Sequence, residues 1–65
     1  RRQKGIEKAT PIIIEDDVWI AGNVTVLGGV TIHKGAVIAA GSLVNKDVEA
    51  HSLYAGSPAR FIKSI

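Results

Sequence analysis

From Ile14 to Glu49 the apolar positions recur every sixth residue without a gap. The leading row reads Ile14, Ile20, Val26, Ile32, Ile38 and Val44, all aliphatic. Four places later in each hexad stand Val18, Val24, Val30, Ala36, Ser42 and Val48, all small or β-branched. One place before that second row stand Asp17, Asn23, Gly29, Gly35, Gly41 and Asp47, the residue types that accept left-handed or turn backbone at low cost. A period of six does not fit 3.6 residues per turn, and turn formers at every sixth place exclude a helix. An antiparallel sheet would need longer strands with strict alternation. The pattern therefore predicts an all-β chain of very short strands and corners, with both apolar rows pointing into one continuous interior.

The flanks behave differently. Residues 1–11 carry no six-residue register and end at Pro11, which stops strand pairing, so they read as a loop leading into the repeat. Beyond the repeat, residues 12–49, Ala50 and Tyr54 are expected to keep the register until Gly56-Ser57-Pro58 breaks it. Residues 50–65 then read as a cap, with Ala59-Arg60-Phe61-Ile62-Lys63 starting a short strand or helix.

Composition narrows the class. At 65 residues the chain makes one domain at most, here taken as a single partial domain, because so short a chain buries too little surface to stand easily alone. Further coils before Arg1, neighbouring chains, or both are expected to complete its core. The absence of cysteine removes disulfides and thiolate metal sites and fits a reducing, cytoplasmic setting. No apolar stretch approaches the roughly 20 residues of a membrane span, and no signal-peptide core is visible. Half of the eight basic residues (Arg1, Arg2, Lys4, Lys8) lie at the start, but no aromatic residues interleave with them to stack bases. A solvated loop is the better reading than a nucleic-acid arm.

The ordered motifs sharpen this picture. R-x-x-G-x-E-x-A-x-P-I-x-I from Arg2 to Ile14 is followed by D-V-W-I at Asp17 to Ile20. A-G-S-L-V-x-K-D-V runs from Ala40 to Val48, and A-G-S-P-A-R from Ala55 to Arg60. Together they resemble the bacterial hexapeptide-repeat acetyltransferases, closest to the maltose, galactoside and nodulation sugar O-acetyltransferases. The resemblance implies a left-handed parallel β-helix in which three hexads form one triangular coil, so that residues 14–31 and 32–49 make about two coils. It also implies a homotrimer that transfers an acetyl group from acetyl-CoA to a hydroxyl of a sugar or similar acceptor, this chain holding the C-terminal CoA-binding part. A noncatalytic trimerisation module and a serine or xenobiotic acetyltransferase are the alternatives. Glu15, Ala21, His33 and Ala39 stand where the family usually has Gly, and Asn45 where it usually has Thr.

Acetyl transfer to a hydroxyl needs a general base, and histidine suits that role near neutral pH. The resemblance places the family's histidine upstream of Arg1, so the isolated chain is expected to be inactive and neither His33 nor His51 is given the role. Spaced three hexads apart and both second in their hexads, these two are expected to stack on adjacent coils as solvated imidazoles rather than as a zinc pair, which would need a further ligand. The motifs imply that Gly22, Ala40, Asn45, Lys46, Arg60 and Lys63 line the cofactor tunnel, small residues admitting the pantetheine arm and cations meeting phosphates. Trp19 is expected to face outward at a trimer interface, either packed on a neighbouring subunit or loop or, as the resemblance implies, walling the acyl-transfer cleft. Asp16 and Asp17 read as corner residues rather than a catalytic pair.

Overall fold

A computed structural model describes residues 10–65, and the predicted loop of residues 1–11 lies mostly outside them. Six two-residue strands come first: β1 Ile13–Ile14, β2 Trp19–Ile20, β3 Thr25–Val26, β4 Thr31–Ile32, β5 Val37–Ile38 and β6 Leu43–Val44. Two longer ones follow, β7 Ser52–Gly56 and β8 Ala59–Ser64, and there is no helix among the described residues. The strands are short because a turn former interrupts each hexad. Backbone φ is positive at Asp17, Asn23, Gly29, Gly35 and Gly41, five of the six residues in the predicted turn row.

The corners sort the strands onto three faces. On the first face β4 lies parallel on β1, on the second β5 lies on β2, and on the third β6 lies on β3. Each pairing is offset by three hexads, as in Ile14↔Ile32, Ile20↔Ile38 and Val26↔Val44. Identical registers stack aliphatic on aliphatic, so Val30, Ile32, Ala36, Ile38, Val44, Val48 and Tyr54 form the buried core, with Val18, Ile20, Val24 and Val26 packed against it. Ile14 shares the leading row but is 51% exposed, because β1 lies at one end of the stack.

Above Val44 the register changes, which corrects the expected continuation of the repeat. β7 pairs with β5 as Ile38↔Tyr54, and Val48 bridges to Ile32, each pair falling two positions short of three hexads. The corner after β6 is shorter than its predecessors by the same amount. Val48 therefore leaves the second row and caps Ile32, Tyr54 takes the leading position over Ile38, and Ala50 is exposed. Asp47 has no positive φ and is used otherwise: its Oδ1 accepts the Thr31 N–H at 2.9 Å. One coil below, the equivalent Ile13 N–H donates to a backbone carbonyl, that of Val30, so a side chain closes the ladder where the short corner cannot.

The repeat then ends in a hairpin. β8 returns antiparallel along β7, with Gly56 opposite Ala59 and Ser52 opposite Ser64, so the second face has four strands while the third stops at β6. Tyr54 meets Phe61 edge-on with ring centroids 5.9 Å apart, a geometry that fixes the hairpin over the core.

Candidate functional site

The site begins where the third face ends. No third strand lies on β6, and the chain that would have continued there turns back at Gly56. Between the corner after β6 and the hairpin turn a groove of about 310 Å³ remains, lined by Asn45, Lys46, Pro58, Ala59 and Arg60. Three of the six residues expected at the cofactor, Asn45, Lys46 and Arg60, thus meet at one place. Among the described residues Lys46 and Arg60 form no ion pair, since the one such contact joins Glu15 and His33. Two cations from separate segments, the corner after β6 and the start of β8, are left available to one anionic ligand.

The other expected residues lie elsewhere. Gly22 and Ala40 hold equivalent places on successive coils, at the corner after β2 and β5, where the Gly41 N–H donates to Gly22 O at 3.0 Å. Lys63 is opposite Leu53, toward the far end of β8 from the turn. It stands three positions beyond Arg60, about 10 Å along an extended strand. Trp19 is 69% exposed and stands on the outer surface of the second face, in one ladder with Val37 and Leu53. Pro58 and Ala59 line the groove without having been singled out in the sequence. They bear no charge, and their one signal was membership of the same A-G-S-P-A-R string as Arg60.

The histidines do not stack, which corrects the expectation drawn from their spacing. The slip in register carries His51 over Gly35 instead of His33, and the His51 N–H donates to Lys34 O at 2.9 Å. His51 itself has φ +49, continuing the positive-φ column of Asp17 and Gly35. His33 faces the coil below, its Nδ1 3.4 Å from Glu15 Oε1, and the same carboxylate oxygen accepts the Lys34 N–H at 3.0 Å. Both side chains of the pair are about two-fifths exposed, so the contact contributes little to stability. Among the described residues no three His, Cys, Asp or Glu side chains gather as a metal site.

Parallel coils with a six-residue repeat, closed by a hairpin beside a cationic groove, define a hexapeptide-repeat coil protein. The chain belongs to the family described as Bacterial transferase hexapeptide (six repeats), which matches residues 11–46. An acetyltransferase of Vibrio cholerae solved with acetyl coenzyme A is 55% identical and superposes with a TM-score of 0.84, covering 85% of this chain and 30% of its own. A maltose O-acetyltransferase of Clostridium difficile is 45% identical with a TM-score of 0.85, covering 86% and 30%. A Lysinibacillus sphaericus protein named as a macrolide acetyltransferase is 51% identical over 69 residues, 91% of this chain and 38% of its own length. The chain spans about a third of the length of the curated relatives it matches.

Proposed function

We propose that the chain is the CoA-binding part of an acetyl-CoA-dependent O-acetyltransferase, built as a left-handed β-helix and active in the cytoplasm as a homotrimer. The observation that carries this reading is the groove in which Lys46 and Arg60 converge beside Asn45, Pro58 and Ala59. Its donor set fits the cofactor. Arg60 offers a planar fork for a phosphate and Lys46 a point charge, while Asn45 adds an amide that can donate or accept. Small or unbranched walls at Ala59 and, on the neighbouring corner, Gly22 and Ala40 leave space for a pantetheine arm to run close to backbone groups. Lys63, farther along β8, supplies a third cation.

Acetyl-CoA supplies an activated thioester whose acetyl group passes to the acceptor hydroxyl, leaving the free thiol. This chain's own residues bind and orient that donor. Neither His33 nor His51 lines the groove, and neither is assigned the general base. The outer ladder of Trp19, Val37 and Leu53 supports subunit packing, because an indole 69% exposed above two aliphatic neighbours gains from being covered. For the acceptor, the maltose O-acetyltransferase supports a sugar and the macrolide-named relative a macrolide.

The test is kinetic. In the intact protein, Lys46→Ala and Arg60→Ala should each raise KM for acetyl-CoA roughly tenfold, as loss of a charge-assisted phosphate contact predicts, with the acceptor KM moving far less. Equal binding of CoA and dephospho-CoA by wild type and both variants would refute the phosphate clamp.

A further inference from the structure

We propose that Ser42 is a positioning residue for the groove: its buried hydroxyl holds the hairpin turn that carries Pro58, Ala59 and Arg60. This rests on the proposed CoA-binding reading and adds a residue to it. Ser42 follows the Gly41 corner, immediately before β6, and is 2% exposed. Its Oγ donates to Ala39 O at 2.7 Å and accepts the Gly56 N–H at 3.1 Å. The first bond fixes the rotamer and aims the oxygen; the second attaches the residue from which the chain turns back. Gly56 has φ +105 and sits opposite Ala59, so the turn between them bears directly on the groove wall.

The row in which Ser42 stands makes its hydroxyl conspicuous. Val18, Val24, Val30 and Ala36 occupy the same place in earlier hexads, and an aliphatic side chain there serves packing alone. Serine is required for packing nowhere in that row. A hydroxyl buried at this level is stabilised only because it finds both an acceptor and a donor. Removing it leaves the Gly56 N–H without its partner, and the turn is free to move relative to Asn45 and Lys46.

The neighbouring valines also supply the variant that separates positioning from packing. Ser42→Val and Ser42→Thr are near-isosteric and differ in a methyl against a hydroxyl, in a row that already accepts valine. Titration of the intact protein with coenzyme A should give a Kd about fivefold higher for Ser42→Val than for Ser42→Thr, the size expected of one misplaced hydrogen-bonded contact. Hydrogen exchange should show the Gly56 amide protected in Ser42→Thr and wild type and exposed in Ser42→Val. In an Arg60→Ala background the Kd difference should shrink to less than about twofold, since the turn then has no guanidinium to position. Equal Kd values for the two variants, or a difference that persists undiminished without Arg60, overturn the positioning role while leaving CoA binding intact. A wild-type protein that binds no coenzyme A overturns the functional reading itself, and the claim on Ser42 falls with it.

Discussion

Gly35→Ala isolates the contact between two coils at a single corner. Gly35 has φ +74, and a Cβ placed there would overlap the His51 imidazole, meeting Nδ1 most closely and Cε1 at 2.6 Å. Two costs arise. Left-handed backbone costs an alanine about 1–2 kcal/mol, partly offset by about 0.4–1 kcal/mol because the unfolded chain loses freedom. The exposed imidazole must then swing off its position, at about 0.5–1.5 kcal/mol if it leaves a good rotamer, and it loses its packing on the corner below. A net destabilisation of about 0.5–3 kcal/mol, centred near 2, follows from these terms. Gly41→Ala provides the control, because Gly41 has the same φ of +74 and nothing within 4 Å of the added atom. It should cost about 0–1.6 kcal/mol, the backbone share alone and about 1 kcal/mol less than Gly35→Ala. Urea denaturation of the intact protein, read as a shift in midpoint at constant m, measures both. Combining Gly35→Ala with His51→Ala should bring its cost down to the Gly41→Ala value. If Gly35→Ala and Gly41→Ala are equally destabilising, His51 does not rest on that corner and the shortened offset of the upper strand is wrong.

Other residues give simpler tests by the same denaturation assay. Asp47→Ala should cost about 1 kcal/mol by leaving the Thr31 N–H without its side-chain acceptor, whereas Asp47→Asn should cost less because its amide oxygen can still accept. Ile38→Ala removes a side chain that is 0% exposed between Ile20 and Tyr54 and should cost about 2–5 kcal/mol. Glu15→Gln, which changes the half-exposed contact with His33 but retains an oxygen for the Lys34 N–H, should change stability by less than about 1 kcal/mol.

What the sequence displayed and what it concealed follow from the same chemistry. Both apolar rows and the turn row were legible because parallel stacking at constant offset repeats one environment, and each environment selects one residue type: Ile32 and Ile38 inside, Gly35 and Gly41 at the corners. The slip after Val44 was concealed because Val48 satisfies two environments. Counted in sixes it belongs to the small β-branched row; counted from the short corner it is a good leading residue, and burial rewards it equally in either place. Asp47 added to the ambiguity, being at once a turn former and a carboxylate able to accept Thr31 N–H. The expected histidine stack failed for this reason alone, since it assumed that three hexads always make one coil. The motifs singled out Lys46 and Arg60, but their meeting in one groove depends on the hairpin, and that depends on where the repeat stops.

The slip and the groove are two aspects of one change in the chain's course. With the corner after β6 shortened, the chain reaches the first face at Val48 and the second at Ser52, where β7 runs from Ser52 to Gly56 and is far longer than the strands beneath it. A strand of that length can support an antiparallel return, which the short strands of the repeat cannot. The return uses the length that would otherwise have built a third-face strand over β6. That edge is consequently left uncovered, Asn45 and Lys46 stand at its end, and the turn swings Arg60 toward them. Had the three-hexad offset continued, a further strand would have paired with Leu43 and Val44 in place of the antiparallel return that carries Pro58, Ala59 and Arg60 to the groove. Ending the repeat is therefore the step that creates the groove: the regular coil supplies its base, and the interruption supplies the cleft that Lys46 and Arg60 both line.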